Sequence, residues 1–441
     1  FEAGDVVIMN HPYVCGQHLN NVVIYTPFFY RGELMAFPAV RAHWVDIGGS
    51  HKGFASSGTR EVFEEGLQLR SLKLYRRGEL NRDLFQIVAD NVRFPESSLG
   101  DLRAQIAACR IGERRLAEIL DRYGLEVFRD CVRTIWDQSE ALARREIAKI
   151  PSGVYRAEAL FDSDGVDLDR PIPLRVKIEV SGEEMAIDFS EISGQVTGSI
   201  NCGESGAVAA ARVAFKSLVS PFSPIDEGCF RPLKVVISPG KLLSATPPAA
   251  VGNWSRTLPT VVDLILTALT PALPEKIAAA HKGDMGGYAF HGVDPRTGRR
   301  FLCQSIMGGG WGGRPHEDGE NATVSVCQGD VQNAPVELQE LNYPVLFEFH
   351  RLREGSGGAG KFRGGLGIEI AVRLLCDGYA NINVERNLCP PWGISGGESG
   401  KPARALVRQG PEDPGRWVTK GPNYPVQKGG VVTFFTAGGG I

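Results

Sequence analysis

The chain has 441 residues, of which 43% are hydrophobic and 22% charged. Single cores stop growing at roughly 250–300 residues, so this length predicts two or three packed units. A net charge of -3 and a sequence pI near 6.3 leave no basic field to recruit nucleic acid or an anionic membrane surface. The longest apolar runs, such as Val22 to Tyr30, fall short of the roughly 20 residues a membrane helix needs.

The nine cysteines contain no CxxC pair. A dispersed, odd set reads as reduced thiols packed as small hydrophobes, which implies a cytoplasmic protein. The chain starts at Phe1 and stops in Gly438-Gly439-Gly440-Ile441, which reads as an interior fragment.

In chain order, Val6 to Met9, Val22 to Tyr25 and Leu34 to Phe37 read as strands, with Arg31-Gly32 as a hairpin turn. A polar Gly/Ser loop, Gly48 to Gly58, is expected to be exposed. Residues 81–150 are helical in character. Leu102, Ile106, Cys109, Leu116 and Ile119 or Leu120 recur at helical steps up to Tyr123-Gly124, and a second stripe runs through Val127, Cys131, Ile135 and Leu142. This predicts an antiparallel helical hairpin.

Ile172 to Val180 and Glu184 to Phe189 alternate as a hairpin across Ser181-Gly182-Glu183. Ala207 to Val219 and Val261 to Leu269 read as buried helices, and the remainder from Ala278 as short strands between Gly and Pro turns. Blocks of strands and helices without strict alternation imply an α+β, multi-domain chain. The expected segments are 1–98, 99–150 (the helical hairpin), 151–277 and the glycine-rich 278–441.

Of eight histidines, His11, His18, His43 and His51 fall in the first 51 residues. His18 and His43 flank a predicted strand pair, with Asn21 and Asp46 three residues after them. Imidazole with oxygen donors and open positions suits a catalytic divalent metal. A hydrogen-bonded core histidine beside Trp44 is the plainer reading of His43. Turn and surface roles are expected for His11 and His51. Asp188 could place a carboxylate at a sheet edge, although capping aspartates are commoner. The runs Gly308 to Arg314 and Gly355 to Lys361 lack the features of a Walker loop. Nothing places a base beside Cys15 or Cys303.

Taken together, Gly4-Asp5-Val6 to Tyr13, Gln17-His18-Leu19 and Arg41-Ala42-His43-Trp44-Val45-Asp46-Ile47-Gly48-Gly49 resemble the hydantoinase B/oxoprolinase family. The likeness continues in order through Asn91-Val92-Arg93, Gly100 to Gln105, Asn201-Cys202, Asn333 to Glu337, Gly355 to Gly360 and Pro390 to Gly393. The resemblance implies a subunit of an ATP-dependent hydrolase of hydantoin or 5-oxoproline rings. It would work with an actin-like ATPase (hydantoinase A) partner that binds ATP and phosphorylates the substrate, in a hetero-oligomer. Ketone carboxylase subunits of the acetone and acetophenone type belong to the same architecture, and a metal-free scaffold is a third reading.

The family's metal site is a His, an Asp three residues later and a second His about 25 residues on. The matching positions are His18, Asn21 and His43, so an amide replaces one carboxylate. The ion implied is Zn, Mn or Fe. A further acidic ligand is expected upstream of Phe1, and Asp46 is the local carboxylate expected to compensate and to serve as the catalytic residue.

Overall fold

The computed structural model describes residues 1–14, 18–52, 57–329 and 331–441; the candidate nucleophile Cys15 lies outside them. The N-terminal strands are β1 (Val6–Met9), β2 (Asn21–Tyr25), the small hairpin β3 (Phe28–Tyr30) and β4 (Glu33–Ala36), β5 (Ala39–His43), β6 (Leu72–Arg76) and β7 (Glu79–Leu80). Five of them form one antiparallel sheet in the order β5-β2-β1-β6-β7. Side chains on a strand alternate between faces, so Val22, Ile24, Val40 and Ala42 turn to one side of this sheet. Asn21, Arg41 and His43 are left on the other.

The apolar face is covered by α1 (Arg82–Asn91) and α2 (Pro95–Tyr123). Asn81 caps α1 by accepting from Leu84 N–H at 3.2 Å, and Pro95 starts α2 at the position where a missing N–H costs nothing. Leu102, Ile106 and Cys109 of α2 enter the sheet core. Between them, Gln105 accepts from Trp44 Nε1 at 3.0 Å and donates to the Val22 and Val40 carbonyls.

Gly124, with φ of 82°, ends α2 as the sequence predicts, and α3 (Leu125–Ile147) follows at once. The second stripe behaves differently. Val127, Cys131 and Ile135 are exposed, and α3 buries only Ala143 and Ile147 fully. The hairpin therefore leaves an apolar strip in water along α3.

In the middle of the chain, β8 (Gly153–Phe161), β9 (Ile172–Ser181), β10 (Glu184–Asp188) and β11 (Leu233–Val236) form a sheet in the order β11-β10-β9-β8. Its core is shared with α4 (Glu204–Val219) and α5 (Trp254–Ala268). The latter begins seven residues before the apolar run that predicts it and carries Pro259 as its sixth residue; the Ser255 carbonyl that thereby loses its helical partner accepts from Met285 N–H at 3.1 Å instead.

The last part holds β12 (Gly287–Val293), β13 (Arg300–Ile306), α6 (Val336–Asn342), β14 (Val345–Leu352), β15 (Ile368–Leu374), β16 (Gly378–Asn383), β17 (Arg404–Arg408), β18 (Arg416–Val418), β19 (Lys420–Val426) and β20 (Val431–Phe435). Two sheets, β13-β12-β16-β19 and β14-β15-β20-β17-β18, share a core that includes Phe290, Val372, Ile382 and Phe434. The short helix α6 falls in a stretch read from sequence as strands and turns. The molecule is thus α+β, as expected.

The C-terminal glycines serve contact between backbones. A Cβ at Gly312 would lie 1.8 Å from the Ala279 carbonyl oxygen, and one at Gly439 1.8 Å from that of Trp311. No helix among the described residues is long and apolar enough to cross a membrane. The eight described cysteines are free thiols.

Candidate active site

β2 and β5 run antiparallel with Asn21 directly opposite His43. A tight turn precedes β2: Asn21 N–H donates to the His18 carbonyl at 3.1 Å, and Trp44 N–H to the Asn20 carbonyl at 2.8 Å. This turn brings the His18 ring to 4.9 Å from the His43 ring, centroid to centroid. His18 also meets Trp254, the first residue of α5, edge-on at 5.7 Å. The three positions singled out from sequence as metal ligands are therefore brought together.

His18 is buried, and its Nδ1 lies 3.3 Å from the Gly252 carbonyl oxygen. A carbonyl only accepts, so Nδ1 carries the hydrogen and Nε2 keeps a lone pair. That Nε2 is buried and has no hydrogen-bond partner. Burial holds the His18 pKa well below the usual value. The neighbouring His43 and Arg41 push the same way, against the Gly252 carbonyl and the Asn21 amide. His43 is accessible to water but lies within a cavity, and this enclosure lowers it to about 4. Both imidazoles are neutral at physiological pH, the form that can ligate a cation.

Gly252 is itself fixed from behind. The Glu65 carboxyl accepts from Gly252 N–H at 2.8 Å, Val251 N–H at 3.1 Å and Thr59 Oγ1 at 3.1 Å. Burial raises Glu65 to about 7, against the lowering by those donors. Metal-binding histidines commonly have the second ring nitrogen held by a carbonyl or carboxylate in this manner. Glu65 carried no signal in the sequence, because its role depends on a segment 186 residues away.

Asp46 lies elsewhere. Its Oδ1 accepts from Arg93 Nη1 at 2.7 Å, and its Oδ2 from the Arg93 and Gly48 backbone N–H groups at 2.7 and 3.1 Å. It clasps the loop after β5 to the end of α1, and does not line the cavity. The loop it holds is more enclosed than its composition predicts. A Cβ on Gly48 would meet the Asn91 carbonyl oxygen at 2.5 Å and one on Gly49 that of Glu64 at 2.6 Å. His11, expected in a turn or at the surface, does open a turn, its carbonyl accepting from Val14 N–H at 3.1 Å, but is buried against Arg70, 2.6 Å from its Nε2. Asp188 pairs with Lys177 at 2.7 Å and receives Ser190 N–H. Burial raises the Cys303 thiol to about 12, so it is no nucleophile at neutral pH.

His18, Asn21 and His43 form one wall of a cavity of about 700 Å³. Its other walls come from α4, α5, Met285, β13 and residues 326–328 and 331–334. Mostly apolar, they include Val213, Leu258, Val262, Met285 and Ile306. Among the described residues no three His, Cys, Asp or Glu side chains gather as a metal cluster. The candidate donor set is two imidazoles and an amide oxygen.

The hydantoinase B/oxoprolinase family model matches residues 1–440. The chain belongs to that family. It is 32% identical over 420 residues to the B component of a putative D-/L-hydantoinase from Pseudomonas sp. strain NS671, a match that covers 92% of this chain and 70% of that protein. The crystal structure of an ATP-dependent caprolactamase from Pseudomonas jessenii superposes with a TM-score of 0.92 at 29% identity, over 100% of this chain and 77% of the other. An acetone carboxylase, at 16% identity and a TM-score of 0.89 over 99% of this chain and 64% of the other, shares the fold. The three positions picked out by the resemblance, His18, Asn21 and His43, thus lie on one cavity wall.

Proposed function

We propose that this chain is the component of an ATP-dependent cyclic-amide hydrolase that houses ring opening, while an actin-like ATPase partner binds ATP and phosphorylates the substrate. The observation that carries this reading is the convergence of His18, Asn21 and His43 on a half-open, mostly apolar cavity large enough for a small ring. Membership of the family and the likeness to a hydantoinase component and to caprolactamase support it.

The residues suit a divalent cation of the Zn, Mn or Fe type. His18 offers a buried nitrogen lone pair without a partner, His43 a second neutral imidazole, and Asn21 an amide oxygen. When bound, such an ion polarises a carbonyl or lowers the pKa of a bound water. The chain's own work is to keep both rings neutral, to fix the His18 tautomer through Gly252, and to line the ring with apolar surface. Asp46 serves the site indirectly, by holding the loop that follows β5.

The test is phosphate release by the assembled enzyme with hydantoins, lactams, 5-oxoproline and ketones, with and without bicarbonate, alongside its metal content. The expected result is ATP turnover that depends on a ring amide, with metal and activity both lost in His18→Ala and His43→Ala. Ketone turnover that requires bicarbonate would replace this reading by a carboxylase. Metal-free preparations with no turnover would favour a scaffold.

A further inference from the structure

A second cavity, of about 750 Å³, lies where the loop after β5 meets the sheet of β12, β13, β16 and β19. It shares no lining residue with the His18/His43 cavity. Four cations line it: Lys52 in that loop, Arg93 just after α1, Arg300 on β13 and Lys428 after β19. Arg93 is matched by Asp46. The one carboxylate among the described lining residues, Asp377, accepts from the Lys428 backbone N–H at 2.7 Å. Lys52 and Arg300 form no ion pair with any described residue.

The opposite sheet holds Lys52 in place. Asn381 of β16 donates to the Lys52 carbonyl at 2.6 Å. Asn423 of β19 donates to His51 Nδ1 at 2.8 Å and accepts from His291 Nε2 at 3.0 Å. His291 in turn stacks on Tyr379, whose exposed ring also lines the cavity. Lys52 is half-buried, and burial, with Arg300 and Arg93 nearby, lowers its pKa below the usual value. Cations fixed together in a concavity repel one another, and a bound anion relieves that cost.

The balance of charge selects the anion. With Arg93 and Asp46 taken as a pair, three cations remain against one carboxylate. A monocarboxylate offsets half of the excess, whereas a phosphate group, with roughly two negative charges near neutral pH, offsets it fully. Its oxygens also suit a guanidinium fork beside an ammonium.

We infer that Lys52 and Arg300 bind a phosphate group in this second cavity, either the free ion or one carried by a small molecule whose ring lies against Tyr379. The inference stands apart from the cyclic-amide reading and does not depend on it.

The experiment titrates the full chain, stripped of metal with a chelator, with inorganic phosphate, AMP and acetate by calorimetry at low ionic strength. Phosphate is expected to bind at least about tenfold more tightly than acetate, and more weakly as salt is added. Arg300→Gln and Lys52→Gln are each expected to weaken it about tenfold, the scale of one charge-assisted hydrogen bond, and His18→Ala to leave it unchanged. Arg300 is exposed on an edge strand, so its variant serves if Lys52→Gln fails to fold. AMP binding tighter than phosphate, with the gain lost in Tyr379→Ala, assigns the group to a ring-bearing carrier; equal affinities assign it to the free ion. No saturable phosphate binding, or unchanged affinity in both cation variants, overturns the inference. Binding lost in His18→Ala but kept in Arg300→Gln would place the anion in the other cavity and overturn it equally.

Discussion

Asn21 places an amide beside two imidazoles on the cavity wall, and the position has a direct physical consequence for the proposed ion. It faces His43 across the β2/β5 ladder and adjoins His18 through the preceding turn, so its side-chain oxygen supplies a dipole where a carboxylate would supply a charge. Hard and borderline divalent ions bind charged oxygen more strongly. Asn21→Asp is therefore expected to tighten Mn or Zn binding by at least about tenfold, measured by competition with a chelator. Unchanged affinity would show that position 21 does not touch the ion.

His291 offers a second test at the residue scale, remote from those three positions. It is buried, stacks on Tyr379 at 5.4 Å, and shares a 3.0 Å hydrogen bond with Asn423. Burial, helped by nearby Lys52, lowers its pKa to about 4. In the unfolded chain the imidazole titrates near its ordinary value of about 6.5. Between those two pH values the unfolded state binds the extra proton, so stability is full above the window and falls as pH drops through it. One such proton contributes a slope of up to about 1.4 kcal/mol per pH unit. Urea midpoints for wild type and His291→Gln are expected to converge as pH falls from 7 towards 4.

At the scale of elements, the site depends on how the β5 end is held. Asp46 joins Arg93, at the end of α1, to the Gly48 turn, and Arg93 also donates to the Gly48 and Gly49 carbonyls. Because the Asp46 side chain is 2% exposed and Arg93 22%, solvent screens this pair little. Asp46→Ala leaves a largely buried guanidinium without its anion and is expected to cost about 3 kcal/mol in chemical denaturation. Metal bound to the folded variant should fall only modestly, since Asp46 does not line the cavity. Loss of metal as complete as in His18→Ala would make Asp46 a ligand.

The same scale shows where periodicity informs and where it misleads. Alternation along β2 is legible in sequence because it separates a core face from a cavity face, whereas its partner β5 is not among the strands that the sequence predicts. The helical repeat of α3 is equally legible, but period alone does not say what the stripe packs against, and Val127 and Ile135 remain in water.

Across the whole molecule, buried charge joins α5 to the loops before β12 and after β16, and the latter loop to β19. Asp263 of α5 accepts from His281 Nδ1 at 2.8 Å and from Arg386 Nη2 at 2.9 Å. Arg256 pairs with Asp284 at 3.0 Å, and Lys420 with Glu385. Burial lowers the Arg256, Arg386 and Lys420 pKa values, Lys420 to about 7, so each cation depends on its carboxylate. Removing one partner strands a charge. Asp263→Ala is expected to destabilise by about 3–5 kcal/mol in urea or guanidinium unfolding. A loss below about 1 kcal/mol would mean that water reaches the network.

The sequence by itself determined the family, the α+β class, the main helices and several of the strands, and it singled out His18, Asn21 and His43 as candidates. These are local properties: strand alternation, helical period and a short His-x2-Asn spacing with its second His. What only the tertiary structure decided is the chemistry around them. Glu65 behind Gly252, and Trp254 edge-on to His18, lie tens to hundreds of residues from His18 and from one another. Neither period nor spacing encodes such contacts, because a cavity is defined by elements that fold back on each other. The same reason moved Asp46 from candidate ligand position to clasp, since its partner Arg93 is 47 residues away.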